Sequence, residues 1–402
     1  MTTSKLVKRT LLVLGSLLVV AALGFIGLVW LGPVAISDKS VLFNMLVGRS
    51  IGAPAIDAVQ KRLSVPAGFK LELFAIDLSG ARMLQTTPEG DVIVSLPRTG
   101  EVWWLERDRN QDGKSDSRHL LIDKLNRPHG LDIQDGWLYI GESDAIGRVR
   151  LDKTYSKLDG TYERIVTGFT SEGNHWSKTV HIGPDGYLYV SQGSTCNVCI
   201  EADPRRAAIM RFKPDGSDGQ IIANGLRNSV GFDWSPWDDS LYATENSRDL
   251  LGDDVPNDEL NRIQPGGFYG WPYVHGFGIV DAEFGKDQVQ RIATSLAPAY
   301  GFHAHNAPLG IRFLRKPAPG YERSALVALH GSWNRTKPDG YKVVSLLWDA
   351  NGEIVERDFL TGFQTEQSII GRPVDIAEDG QGTLYISDDL AGVVYRVTRS
   401  SP

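Results

Sequence analysis

Two cysteines and four methionines are all the sulfur in 402 residues, and cations are in the minority: 42 Lys and Arg stand against 49 Asp and Glu, a net charge of −7. Two cysteines cannot build a disulfide framework, so a packed core must carry the stability. A surplus of acid gives no footprint for nucleic acid, whose phosphates need clustered positive charge, and no nucleic-acid partner is expected. Walker A, Gly-x-Gly-x-x-Gly and His-Glu-x-x-His patterns are missing too, which removes phosphate-cradling loops and zinc-protease helices from consideration. Proline, at 20, is less than half as frequent as glycine, at 43, a balance that favours many tight turns over long helices. What remains, 42% hydrophobic and 23% charged, is the composition of an ordered globular protein.

One long apolar run is present. Behind Lys5, Lys8 and Arg9, Leu11 to Leu31 carries no charge, enough for a helix of roughly 30 Å, the thickness of a bilayer core. Gly32-Pro33-Val34-Ala35 makes a poor cleavage site. The expectation is therefore an uncleaved single-pass anchor: residues 1–9 cytoplasmic, 10–31 in the inner membrane, 32–64 a partly helical tether, and the rest exported to the periplasm. A cleaved signal is the alternative.

The remainder repeats one pattern six times. Val92–Ser95, Trp137–Gly141, Tyr187–Ser191, Ser240–Thr244, Ala325–Leu329 and Thr383–Ser387 are each a short apolar or aromatic run, most of them behind an Asp or Gly turn. Most are followed by a second alternating run, as at Gly147–Arg150 and Gly392–Val397. β-Branched and aromatic side chains pack well on a pleated surface, and a period of roughly 50 residues fits four-stranded propeller blades. The expected fold is all-β, a six-bladed β-propeller over 65–402 behind an N-terminal transmembrane helix. Phe69–Phe74 would give the last blade an outer strand and close the ring. The stretch 271–320 has no repeat and reads as an insertion roofing one face.

Cys196-Asn197-Val198-Cys199 lacks the following His of a haem site and suits a short-loop disulfide in an oxidising compartment. Asp108, Asn110, Asp112 and Asp116, with Gly113 at the turn, follow calcium-loop logic without the Glu at position twelve of an EF-hand; a solvated acidic turn is the alternative. His303 and His305 could put two imidazoles on one strand face, with no carboxylate at fitting spacing. His175, Arg227-Asn228 and Arg372 each stand just before a blade, where loops reach a propeller's central face. A histidine base with arginine clamps converging there suits an anionic ligand.

Gly225–Gly231, Asn257–Asn261 and Gly266–Pro272 carry this further. They resemble the glucose/sorbosone dehydrogenase family, the soluble-type quinoprotein sugar dehydrogenases that use pyrroloquinoline quinone (PQQ) and calcium (Ca2+). Gly193–Asn197 and Gly331–Arg335 look closer to the sorbosone-dehydrogenase-like branch. The resemblance covers essentially 65–402 and implies a six-bladed propeller with PQQ flat over the central channel. It implies that His175 is the general base, that Arg227 lies beside the reactive quinone oxygens, that Asn228 binds the cofactor and that Arg372 pairs with a cofactor carboxylate. It implies one calcium at the backbone carbonyls of Ser247 and Arg248, polarising the quinone, and a second near Glu259 and the Tyr269 carbonyl. This chain departs from the family at four places. Asn174 replaces the Asp that partners the base, His330 replaces a cofactor-binding lysine, Val374 replaces an arginine, and Pro128-His129 falls where the family has a glutamine near the active site; Arg335 or Lys337 is the expected compensation. The implied activity is oxidation of an aldose or sugar aldehyde by hydride transfer to PQQ, with electrons passed to a respiratory quinone or cytochrome. The alternatives are a calcium-dependent lactonase, which needs a cage of carboxylates in the channel, and a cofactor-free carbohydrate-binding propeller.

Overall fold

The computed structural model describes residues 51–400 apart from Gln367. Six antiparallel blades follow one another along the chain. The first is Leu84–Thr86, Val92–Leu96, Glu101–Leu105 and Arg118–Ile122. The second is Leu131–Gln134, Trp137–Gly141, Ala145–Arg150 and Glu163–Thr167. Lys178–Ile182, Leu188–Gln192, Ala208–Phe212 and Gln220–Asn224 form the third, with Gly267–Phe268 added in parallel at its edge. Phe232–Trp234, Leu241–Glu245, Asp258–Arg262 and Tyr300–Phe302 form the fourth, and Pro308–Phe313, Ser324–Leu329, Lys342–Trp348 and Ile354–Leu360 the fifth. The sixth joins Pro373–Glu378, Leu384–Asp388 and Val393–Arg399 to Phe69–Ala75, which pairs antiparallel with the last strand from Phe69↔Arg399 to Leu73↔Tyr395. The strand expected to close the ring does so.

The repeated runs are the second strands of the blades. Val92–Leu96, Leu188–Gln192, Leu241–Glu245, Ser324–Leu329 and Leu384–Asp388 are buried at every position. A strand pressed between two neighbouring blades buries both faces and reads as a continuous apolar run. The outer strands, such as Arg118–Ile122 and Glu163–Thr167, are largely exposed. Neighbouring blades are also stapled to one another around the channel. Asp132 Oδ2 accepts the Ile182 N–H at 2.6 Å, Asp233 Oδ2 that of Phe313 at 2.8 Å, and Asp375 Oδ2 that of Leu84 at 2.9 Å. An aspartate on every second inner strand thus satisfies an amide of the next blade.

Two boundaries move. The span expected at 11–31 and the tether up to residue 50 lie outside the described residues; among those described, no helix is long and apolar enough to cross a membrane. The rest of the tether is not free. Ile56–Arg62 is helical, Val59 and Leu63 are buried in the core shared with the fifth and sixth blades, and Ser64 bridges to Thr361. The insertion is shorter than 271–320, because Tyr300–Phe302 and Pro308–Phe313 are blade strands. The first is too short to show alternation, and the second begins with proline and holds Gly310 at a bulge. The true excursion, with the hairpin Val274–His275/Ile279–Val280 and the helix Val289–Ala293, contributes no residue to the cavity below and is not its roof.

Candidate active site

At one mouth of the channel the segments leading into the inner strands enclose a cavity of about 330 Å3, within the range of roughly 300–1,000 Å3 usual for small-molecule sites. His175 and Trp176 enter from the third blade, Arg227 and Asn228 from the fourth, His305 and Ala307 from the fifth, Arg372 from the sixth and Arg82 from the first. Val230 and Leu309 give it an apolar floor, packed with Val374. Val374, expected as a lost arginine, is therefore part of that floor.

The His175 ring is fixed. Its Nδ1 lies 3.0 Å from the Ser194 carbonyl and 2.9 Å from Ser194 Oγ, whose own hydrogen goes to the Cys196 carbonyl at 2.6 Å. Two oxygens that can only accept place the proton on Nδ1 and leave the Nε2 lone pair for the cavity. Burial, with Arg227 nearby, pushes the imidazole down to about 3, so it is neutral at ordinary pH, with the Nε2 lone pair unprotonated. Gly193 makes this approach feasible: a Cβ there would stand 2.5 Å from the His175 Cβ and 2.6 Å from Asn228 Oδ1.

Arg227 is buried and bonded through four of its five N–H groups. Nε and Nη2 donate to the Asn197 carbonyl and Oδ1, both at 2.9 Å, Nη1 to the Asn246 carbonyl at 2.9 Å, and Nη2 to Asp249 at 2.8 Å. Against the upward push of burial, His305 and Arg227 hold the Asp249 carboxyl below its usual range. Asp258, pushed up to about 7 by burial, accepts the Ser247 and Ala307 amides at 2.9 and 2.8 Å. Arg372 donates to the His330 and Gly331 carbonyls at 3.0 and 2.9 Å. His330, lowered to about 4 by burial, contacts Asp389 at 2.9 Å, and the other oxygen of Asp389 receives Arg82 at 2.9 Å. The Nε of Arg82 is buried with no hydrogen-bond partner.

Seven expected residues thus meet, His175, Arg227, Asn228, Arg372, His330, Ser247 and His305, and Asn174 lines the wall beside His175. The others lie elsewhere. His129 is sealed beneath the wall, edge-on to Trp176 at 5.7 Å, and Arg335 is spent on Asp254 at 2.9 Å and on the carbonyls of Asp253 and Ala304. The side chain of Arg248 turns away to Asp281. Glu259 sits opposite Glu245 in the fourth blade, both fully buried and pushed up to about 7 and 8, and the amide oxygen of Asn261 beside Glu259 is buried without a partner. The Tyr269 hydroxyl donates to the Arg262 carbonyl at 2.7 Å. The Asp108–Asp116 loop is at the seam of the first and last blades. Asp108 pairs with Arg396 at 2.6 Å, while Asp108, Asn110, Asp112 and Asp116 accept amides of their own loop. His303 is exposed on Asp339 and His305 buried on Asp249, so the two imidazoles do not converge.

Arg82, Ser194, Asp249, Asp258, Trp176 and Trp333 were not foreseen. Arg82 had a usable signal. It precedes its inner strand as Arg227 and Arg372 precede theirs, and aligning the six lead-ins would have found it. The disulfide Cys196–Cys199 is formed as expected.

Residues 63–273 and 280–400 match the TrAA12-like family. An uncharacterized protein of Borreliella burgdorferi is 31% identical over 85% of this chain and 92% of its own length. A pyrroloquinoline quinone-dependent pyranose dehydrogenase of Coprinopsis cinerea is 25% identical over 87% of this chain, which spans 56% of that relative's length. Among solved structures, the iodide structure of the Trichoderma reesei Carbohydrate-Active Enzymes Family AA12 protein superposes with a TM-score of 0.75 at 24% identity, over 84% of this chain and 98% of the other. Six blades, a cavity at their mouth and these matches agree, and the chain belongs to the TrAA12-like family.

Proposed function

We propose that the protein is a PQQ-dependent oxidoreductase that oxidises an aldose or sugar aldehyde. The observation that carries this reading is the convergence, in one cavity, of a neutral imidazole with a free Nε2 and three guanidinium groups, one with a buried unpaired N–H. The residues fit a flat, multiply anionic cofactor. Arg82 and Arg372 would hold its carboxylates, Trp176 and Trp333 give the walls ring surface, and Arg227, held in place by Asn197 and Asp249, would face the quinone oxygens. PQQ, when bound, supplies the two-electron acceptor. His175 Nε2 would take the proton of the hydroxyl on the carbon being oxidised, that of the hydrate where the substrate is an aldehyde, while its Nδ1–H stays on Ser194. The named activity of the Coprinopsis relative supports the sugar class, and Gly193–Asn197 and Gly331–Arg335 favour the sorbosone-like branch within it.

Calcium belongs to the same proposal. The Ser247 backbone lies at the cavity, and Glu245 and Glu259, each already accepting a backbone amide, stand with the unpartnered Asn261 oxygen at the expected second site. The lactonase reading needs free carboxylates in the channel, and Asp132, Asp233, Asp258 and Asp375 are each committed to backbone amides. The anchor, the inner-membrane location, the periplasmic exposure and delivery of electrons to a respiratory quinone or cytochrome are proposed from residues 5–31, and the disulfide suits an oxidising compartment. Membrane fractionation with protease protection tests that part.

The activity is tested by adding calcium and PQQ to the purified protein and following cofactor binding and dye reduction over aldoses and aldehydes. The expected result is binding with sugar-dependent reduction that His175→Ala abolishes. Failure of the folded, calcium-loaded protein to bind PQQ overturns the reading.

A further inference from the structure

The loop 193–207 joins two strands of the third blade and contains no strand of its own. Within it, residues 194–199 make the contacts that orient both His175 and Arg227. Ser194 accepts from His175 through Oγ and its carbonyl, and its own N–H donates to the Arg227 carbonyl at 2.7 Å. Asn197 grips one edge of the Arg227 guanidinium with two oxygens, its carbonyl on Nε and its Oδ1 on Nη2. The same Oδ1 accepts the Asp249 N–H at 2.9 Å, and Nδ2 donates to the Asp249 carbonyl at 3.1 Å. One amide therefore locks the cation and its counter-ion together without adding charge of its own.

Two covalently joined sulfurs bracket that amide. The Cys196–Cys199 bond spans three positions, with Asn197 inside it. Glu201 accepts from the Thr195 hydroxyl at 3.0 Å and ties the loop just outside the bridge. The Trp271 indole donates to the Asn197 carbonyl at 3.2 Å. A segment with no strand ladder of its own has few other means of confining its backbone, and closing it covalently removes competing conformations.

Building on the roles proposed above for His175 and Arg227, we propose that the segment Ser194–Cys199, closed by its disulfide, is the positioning element of the site, with Ser194 setting the proton on His175 and Asn197 setting the plane of Arg227. Ser194 takes over the orienting work that the resemblance assigns to a carboxylate where this chain has Asn174. Both residues are positioning residues, since each acts through the side chain it holds.

The deciding measurement needs no cofactor. In the protein labelled with nitrogen-15, the Arg227 Nε–H signal should exchange slowly and the His175 imidazole should be in the Nδ1–H tautomer. In Cys196→Ala/Cys199→Ala, Arg227 Nε–H exchange should accelerate by about tenfold or more, and in Asn197→Ala, which removes Oδ1 and keeps the backbone carbonyl on Nε, the Arg227 Nη2–H signals should do so, as expected for a locally opened bond. In Ser194→Ala the His175 tautomers should mix, with the cooperative melting transition retained. Asn197→Asp keeps the acceptor for Arg227 and should restore slow exchange. Unchanged Arg227 and His175 signals in all three variants would overturn the proposal. If the double alanine variant does not fold, Asn197→Ala, which keeps the disulfide, decides. With PQQ added, Asn197→Ala should bind it about 10- to 100-fold more weakly, the size of a lost charged hydrogen bond. Wild-type protein that shows the ordered signals and binds no PQQ would sink the oxidoreductase reading and leave the positioning role standing.

Discussion

His175 and His181 stand at opposite ends of the same channel, and burial pushes both down to about 3 with an arginine helping, Arg227 in one case and Arg312 in the other. Their surroundings differ in how each ring is held. Around His181 the charges are used for building: Asp132 and Asp233 accept amides of neighbouring blades, and Asp233 also holds Arg315 at 2.6 Å. Around His175 the partners are loop carbonyls and hydroxyls, the imidazole keeps Nε2, and Arg82 keeps an unpaired Nε. A second cavity of about 410 Å3 opens at the His181 end, so neither a cavity nor a displaced pKa singles out the working mouth. The imidazole fixed through Nδ1 and the three guanidinium groups converging on its cavity do.

If that distinction is right, the two ends should fail differently. The largest effect is expected from His175→Gln, which should lower kcat by about 100- to 10,000-fold with the melting temperature unchanged; an equal loss of stability would erase the contrast. Asp233→Ala should cost roughly 3 kcal/mol in urea unfolding, since it orphans the Phe313 amide and uncouples Arg315, and the surviving folded fraction should keep normal PQQ affinity. Arg82→Gln should weaken PQQ binding by about 10- to 100-fold in a fluorescence titration.

The smallest effect concerns pH. His181 stays neutral in the fold, whereas the unfolded chain takes up a proton below about pH 6.5. Stability is therefore lost as pH falls from there towards 3, by roughly 1.4 kcal/mol per pH unit for one group. His181→Asn should remove one proton from the slope of unfolding free energy against pH in that window. His175 contributes the same slope, and its titration should also be visible in activity: kcat should show no acid-side inflection near 6.5, because the base is neutral down to about 3.

The ring was legible because each second strand is buried on both faces and so is written as an uninterrupted apolar run, as in Leu384–Asp388. Strands of three residues, such as the inner Leu84–Thr86 and Phe232–Trp234, are too short to show a period, and the outer strand Tyr300–Phe302 is hidden within the expected insertion for the same reason. In the site, His175, Arg227, Asn228 and Arg372 stood out as charged or polar residues before blades. Asp249 and Asp258 did not, because in Asp249–Asp258 they look like any solvated acidic loop until Arg227, His305 and two amides close around them. Ser194 carries no signal in sequence; what makes it matter is the ring nitrogen of a residue nineteen positions earlier.

Phe69–Ala75 meets Val393–Arg399 across almost the whole chain, with Glu72 and Arg396 in contact from 324 residues apart. Until the final strand arrives, the first five blades are an open arc. The mouth cavity does not exist in that arc, because Arg82 enters it from the first blade and Arg372 from the last. Ligand binding is thus a property of the completed circle alone, and a molecule seated between those two arginines would act as a clasp, holding the start of the chain to its finish.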